Sequence, residues 1–251
     1  MVNIVNVPLS VTVVGQTASN SAEIQDIYDQ ANGGYRDRDE DPGGLPLIEL
    51  AGRGCYEAYG RNHESTDSHE GYLGNILAQK HYSVLEHVTY SFHIKGISRA
   101  ESHEIVRHRH FGFSQQSQRF CVVKEPYEVA LHPTLLEMYD DEVLLDHLAG
   151  SFIEAEAVYR DARERGYDRK PASEAARAFL PNAAATHMVV TGNLRSWIEF
   201  ISKRDHEAAD VGIRRVAQEI HAILKEDLPE IFSDEARAIW DEEFAQGKAR
   251  V

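Results

Sequence analysis

Between His87 and Ile94 polar and apolar residues alternate without a break. Val88, Tyr90, Phe92 and Ile94 fall on one face, and Thr89, Ser91 and His93 on the other. Period-two alternation of β-branched and aromatic residues marks a strand with one buried face. Ser98 follows, with Glu101 three residues on, the spacing of a reciprocal capping box. A strand therefore hands over directly to a helix, expected to carry Ile97, Ala100 and Ile105 and to end near His108 to His110, before Gly112. In such a helix His103 would share a face with Arg107, and Glu104 with His108, each pair four residues apart.

The rest of the chain can be read around that junction. Residues 3–14 are Val- and Ile-rich and read as a strand, or a strand pair broken near Pro8-Leu9-Ser10. Helices are expected over 21–30, 46–59 and 71–79, separated by surface loops at 32–45 and 60–68. Residues 134–164 read as one long helical region with a core stripe from Leu136 to Val158 and an end at Gly166. Ala172 to Phe179 forms a helix stopped by Pro181, and Thr186 to Thr191 is short and β-branched. Helices follow over 193–202, 208–224 and 234–244. This order predicts one α+β domain spanning 1–251, with a modest antiparallel sheet and a largely helical C-terminal part.

Charge narrows the function. The 251 residues hold 26 Lys plus Arg against 41 Asp plus Glu, a formal charge of -15. That balance argues against binding nucleic acid through a broad basic face, but leaves room for a local nucleotide pocket. No run approaches the ~18 apolar residues of a membrane span, and the start lacks a basic n-region, so the expectation is a cytoplasmic protein without a membrane partner. Cys55 and Cys121 have no Cys-x-x-Cys spacing and read as reduced thiols, at least one of them buried. The histidines between His81 and His110 lack a metal-ligand spacing, so no metal is expected.

Against this acidic background stands the run Arg107-His108-Arg109-His110, followed by Gly112, Ser114, Gln115, Gln116, Ser117, Gln118 and Arg119. Guanidinium groups match phosphate oxygens in a fixed bidentate geometry, so the run points to a phosphate-bearing small ligand. Ser114 to Arg119 reads as a polar loop whose Ser117 hydroxyl, backbone N–H groups and Arg119 side chain could form an anion nest. The competing structural reading is a surface salt-bridge cluster. A second polar set comprises Asn193, Arg195, Glu199 and Arg204. Here Asn193 would cap a helix, Arg195 and Glu199 would pair at i,i+4, and Arg204 would favour the helix C-terminus.

Together these pieces resemble the flavin-dependent thymidylate synthases. The match rests on Arg107-His108-Arg109 with Ser117 and Arg119 beyond it. It extends to Gly52-Arg53-Gly54-Cys55-Tyr56, His81 to His87, Leu180-Pro181-Asn182, Thr191 to Arg195, and Arg204. The resemblance implies a compact α+β fold in a homotetramer whose active sites are shared between subunits. By the same resemblance FAD would be held by His81, Ser83, Glu86, Arg107, His108, Arg109, Asn193, Arg195 and Glu199. A uracil nucleotide would be held by Glu104, Arg107, Gln115, Gln116, Ser117, Gln118 and Arg119, with His187 beside it. Arg204 would be the catalytic cation at the uracil edge, favouring the N3-deprotonated base. The implied reaction is reductive C5-methylation with 5,10-methylenetetrahydrofolate as carbon donor and NADPH as reductant.

This chain departs from the family pattern at four positions. His187 stands where an arginine is usual and Ala208 where many members have histidine. Gln116 replaces an apolar residue, and Gly112 a small hydroxyl residue. A ribose 2'-hydroxyl needs a polar partner and space, which Gln116 or His187 could supply. The pattern therefore suggests methylation of UMP as well as, or instead of, dUMP. The precedent is the family branch that methylates both nucleotides in polyoxin-type antibiotic pathways. An ordinary dUMP-specific thymidylate synthase and a non-catalytic nucleotide-binding homologue are the alternatives.

Overall fold

A computed structural model describes residues 3–31, 43–60, 63, 66, 68–122 and 124–245. In chain order its strands are β1 (Ile4–Asn6), β2 (Ser10–Gln16), β3 (Thr89–Ser98), β4 (Gly112–Gln115), β5 (Tyr127–Val129) and β6 (Ala185–Asn193). The N-terminal helices are α1 (Ser21–Gln30), α2 (Leu45–Gly54), α3 (His69–Ala78) and α4 (Arg99–Ile105). Then come α5 (Pro133–Met138), α6 (Asp141–Glu164), α7 (Arg169–Ala176) and α8 (Leu194–Arg204). The chain continues through α9 (Val211–Asp227), α10 (Pro229–Phe232) and α11 (Asp234–Ala245). The α+β class with an antiparallel sheet and a helical C-terminal part is what the structure has. The main sheet runs in the order β2-β3-β6-β4, and β1 pairs with β5 in a separate two-stranded sheet. That smaller pair is parallel, with Ile4 opposite Tyr127.

The chain divides into two compact units, each assembled from non-contiguous segments. The first comprises Met1–Thr12, His93–Val190 and Asp210–Val216. Its core joins Tyr127, Val129, Leu131, Leu144, Phe152 and Ala184, with Tyr127 stacked on Phe152 at 4.7 Å between ring centroids. The second comprises Val13–Phe92, Thr191–Ala209 and Ala217–Val251. Here Phe92 meets Trp197 edge-on at 5.0 Å, and the fully buried Phe232 and Trp240 line the helical side. Among the described residues no helix is long and apolar enough to cross a membrane.

Local chemistry explains most boundaries. Val88, Tyr90, Phe92 and Ile94 are all buried, so the alternation reads as expected. Ser98 Oγ accepts from the Glu101 N–H at 3.1 Å, and the Glu101 carboxylate accepts from the Ser98 N–H at 2.6 Å. Both halves of the capping box are therefore formed. Gly96 adopts φ +72, and a Cβ there would lie 2.0 Å from the Pro8 carbonyl oxygen, so only glycine fits this bend.

Several expectations are corrected. α4 stops at Ile105 rather than near His110. The chain turns twice beyond it, through His108 N–H to the Ile105 carbonyl and Phe111 N–H to the His108 carbonyl. Burying Phe111 accounts for the turn. The helix expected to align His103 with Arg107 and Glu104 with His108 stops short of both Arg107 and His108. Residues 134–164 form two helices, because Tyr139 and Asp140 are extended. Asp141 and Glu142 favour a new helix N-terminus. Leu136, Met138 and Val143 of the expected core stripe are exposed. Ser114 and Gln115 belong to edge strand β4 rather than to a loop.

α2 ends at Gly54, closed by a turn in which Glu57 has φ +49. Both cysteines are free and exposed, Cys55 because it lies beyond that helix end. Most of the expected loops at 32–45 and 60–68 lies outside the described residues, and Leu45 already opens α2. Replacing Ser98 with Ala should lower unfolding free energy by about 1 kcal/mol, measured by urea denaturation, because it leaves the Glu101 N–H uncapped.

Candidate active site

The two units carry different parts of the anticipated site. Glu104, Arg107, His108, Arg109, Gln115 to Arg119 and His187 belong to the first. His81, Ser83, Glu86, Asn193, Arg195, Glu199 and Arg204 belong to the second.

In the first unit, the turn after α4 presents Arg107 and Arg109 to solvent. Neither makes a hydrogen bond or ion pair among the described residues. Two exposed guanidinium groups without partners keep all their donors available to solvent or to a ligand. The strand and turn beyond are tightly organised. Gln116 donates its N–H to the His187 carbonyl at 3.1 Å, and its own carbonyl accepts from Arg99 Nη1 at 3.1 Å. Arg99 Nη1 also reaches Thr186 Oγ1 at 3.3 Å, and Gln115 Nε2 lies 3.5 Å from the same hydroxyl.

Ser117 Oγ accepts from the Arg119 N–H at 3.3 Å, and the Ser117 carbonyl accepts from the Phe120 and Cys121 N–H groups, so these backbone donors are used within the turn rather than offered as a nest. Arg119 is not free. Its Nε donates to Glu174 at 2.7 Å, which leaves the two terminal nitrogens of the fork for a ligand. Gln116 and Gln118 border a cavity of about 280 Å³ that Cys121 and Lys124 also line. Sequence reasoning missed Arg99, Thr186 and Glu174. Arg99 directly follows the Ser98 cap, a position that could have flagged it, whereas Glu174 carries no local signal.

In the second unit, Asn193 caps α8 as expected, its Oδ1 accepting from the Ser196 N–H at 2.9 Å and the Ser196 hydroxyl at 2.8 Å. Its side-chain NH₂ has no partner among the described residues. Arg195 does not pair with Glu199. It donates instead to Glu86, while Glu199 pairs with Lys203. Long-range contact with the turn before β3 thus wins over i,i+4 pairing and ties two expected cofactor residues together. His81 stacks on the exposed Tyr56 ring at 6.2 Å, and the Ser83 hydroxyl is exposed. Arg53, from the matched Gly52–Tyr56 stretch, is internal instead. It is buried, donates to Glu49 at 2.7 Å and sits over the Tyr72 ring. Burial alone would raise the Glu49 carboxyl, but hydrogen bonds from His69 and Arg53 outweigh it and hold it low. Arg204 occupies the last turn of α8.

Residues 39–230 match the family described as thymidylate synthase complementing protein. A flavin-dependent thymidylate synthase of Mycolicibacterium vanbaalenii is 42% identical over 199 residues, covering 76% of this chain and 80% of that protein. One from Mycobacterium avium is 41% identical over 204 residues with the same coverage. The chain belongs to the flavin-dependent thymidylate synthase family. Membership makes it a methyltransferase. The crystal structure of Thymidylate Synthase X from Helicobacter pylori with FAD and dUMP shares the fold. Its TM-score is 0.63 over 91% of this chain and 99% of that one, at 20% identity.

His187 sits in a defined pair of imidazoles. Its Nδ1 lies 3.4 Å from His93 Nε2, and the two rings meet edge-on. Burial lowers the His187 pKa below the ordinary 6.5, and the nearby His93 and Lys95 lower it further, with Glu128 opposing. His187 is therefore neutral near pH 7 and offers a hydrogen bond rather than a charge. Ala208 lies in a tight turn in which its N–H donates to His206 Nδ1 at 3.1 Å. An NMR titration of His187 should show a midpoint below 6.5. His93→Gln should raise it, and an unchanged midpoint would show that the rings do not sense each other.

Proposed function

We propose that this protein catalyses reductive C5-methylation of a uracil nucleotide, accepting UMP as well as dUMP, with FAD as cofactor. NADPH and 5,10-methylenetetrahydrofolate are the cosubstrates. The carrying observation is the pair of exposed, unpaired guanidinium groups of Arg107 and Arg109, in a chain of this family.

Each unit offers donors suited to phosphate oxygens: Arg107 and Arg109 in the first, and the Asn193 side-chain NH₂ and the Ser83 hydroxyl in the second, have no internal partners among the described residues. His81, Ser83, Glu86, Arg107, His108, Arg109, Asn193, Arg195 and Glu199 would hold FAD. FAD held there would supply the hydride chemistry that a reductive methylation needs, with NADPH as the source of reducing equivalents. The protein's share is placement and electrostatics. Ser117, Gln118 and the terminal nitrogens of Arg119 take the nucleotide phosphate, with Glu104, Arg107 and Gln115 completing the nucleotide shell. Arg204 holds its positive charge at the uracil edge and so favours loss of the N3 proton. Neither Cys55 nor Cys121 is needed as a nucleophile.

The ribonucleotide reading rests on two departures that the fold brings together. The Gln116 N–H donates to the His187 carbonyl, so the two residues are backbone neighbours where the chain leaves β4 alongside β6. A neutral imidazole and an amide can each hydrogen-bond a 2'-hydroxyl, and a site built for such a bond discriminates strongly. The same reading extends to one domain spanning 1–251, a cytoplasmic location and a homotetramer with shared active sites.

Tritium release from C5 of UMP and dUMP, with FAD, NADPH and methylenetetrahydrofolate, tests the proposal. Release from both nucleotides is expected, and release from dUMP alone would sink the ribonucleotide reading. His187→Arg should shift the kcat/KM ratio toward dUMP. Arg204→Ala should nearly abolish turnover while flavin absorbance is retained, whereas loss of flavin together with activity would point to a structural role.

A further inference from the structure

Arg204 ends α8, and the residue that caps it, Asp205, is unusually constrained. Helix termini fray unless their last groups are tied down. Asp205 breaks the helix at φ -87, ψ 60. Its side chain is only 14% exposed. Oδ2 accepts from Arg237 Nη1 at 2.7 Å, and Oδ1 accepts from Gln218 Nε2 at 2.9 Å. Arg237 Nη2 also lies 3.4 Å from the Asp205 carbonyl oxygen. One guanidinium thus grips both the carboxylate and the main chain of the residue next to Arg204.

Arg237 is itself anchored from three sides. Its Nε donates to Asp241 at 3.1 Å, and its guanidinium lies 5.7 Å from the centroid of the fully buried Trp240 ring. Its Nη1 also lies 3.1 Å from His221 Nδ1. The other nitrogen of that ring, Nε2, is 3.0 Å from the Phe232 carbonyl. Nε2 must donate to that carbonyl, so Nδ1 carries a lone pair and accepts from Arg237. All these residues lie in the second compact unit, and Arg237, Trp240 and Asp241 lie beyond residue 230, where the family match ends.

We propose that Arg237 is a positioning residue for Arg204: by clamping Asp205 it holds the last turn of α8 and fixes the direction of the catalytic cation. This rests on the role given to Arg204 above. Neighbouring Cα atoms are about 3.8 Å apart, so release of Asp205 displaces Arg204 directly. Displacement of a reacting group by about 1 Å can cost about a hundredfold in rate.

The test is a double-mutant cycle in the full-length, flavin-loaded protein, read as the dUMP dissociation constant by calorimetry and as kcat by tritium release. Arg237→Ala should weaken dUMP binding and lower kcat, each about tenfold, with flavin absorbance retained. Arg237→Lys, which keeps one contact to Asp205, should recover part of the loss. In an Arg204→Ala background Arg237→Ala should change dUMP affinity less than twofold, because it acts only through the missing side chain. An equal loss in both backgrounds overturns the proposal and assigns Arg237 a general structural role. If Arg237→Ala does not fold, Asp205→Asn takes its place in the cycle with the same expectations. Unaltered binding and turnover in Arg204→Ala alone would overturn both this inference and the role of Arg204. A loss there combined with additivity would overturn the positioning role only.

Discussion

The buried carboxylate of Glu101 is the group around which the first compact unit turns. It accepts the Ser98 N–H at the end of β3, and one of its oxygens lies 3.5 Å from Arg215 Nη2. It also packs against Gly212 so closely that a Cβ there would come within 2.3 Å of Oε1. A carboxylate that is only 5% exposed is tolerable because it is hydrogen-bonded and faces a cation. That single side chain ends a strand, starts α4 and ties the start of α9 to the same point. The run from Arg107 to Arg119 leaves from the far end of α4, so its starting direction is set here.

The same device recurs in the second unit. At the end of β6 Asn193 caps α8 through Ser196, and Arg204 leaves from the far end of that helix. Both runs that the proposed function draws on begin on a strand held in a sheet, pass through a helix with a side-chain cap, and continue from its C-terminus. This is an economical way to present charge, because strand and cap fix the direction while the helix fixes the distance. At the C-terminus the helix dipole also favours cations, so the arginines there do not strain the fold.

Much of this was legible in the sequence because it depends on local rules. Ser98 with Glu101, Asn193 at a helix start, the alternation from Val88 to Ile94 and the strand break near Pro8 are all set by neighbours a few residues apart. The family followed from ordered motifs along the chain. What stayed hidden depends on partners far away in sequence. Arg195 chooses Glu86, 109 positions away, over Glu199 one turn on. Arg119 is taken by Glu174, and Asp205 by Arg237. The end of α4 was misplaced because helical spacing in 98–110 looked adequate, while burial of Phe111 decided the turn. Cys55 was expected to be a candidate for burial on the habits of its residue type, but its exposure is a matter of where α2 ends.

Charge pairing then sets two arginines apart. With 41 acidic residues against 26 basic ones, an arginine able to reach a carboxylate has every electrostatic reason to do so. Arg53, Arg237 and Arg195 do reach one, and each is accounted for within its unit. Arg107 and Arg109 do not, although they stand in the densest cationic stretch of the chain. Both guanidinium groups face solvent without a counter-charge among the described residues, so their positive charge stays available to an external anion, as the proposed function requires.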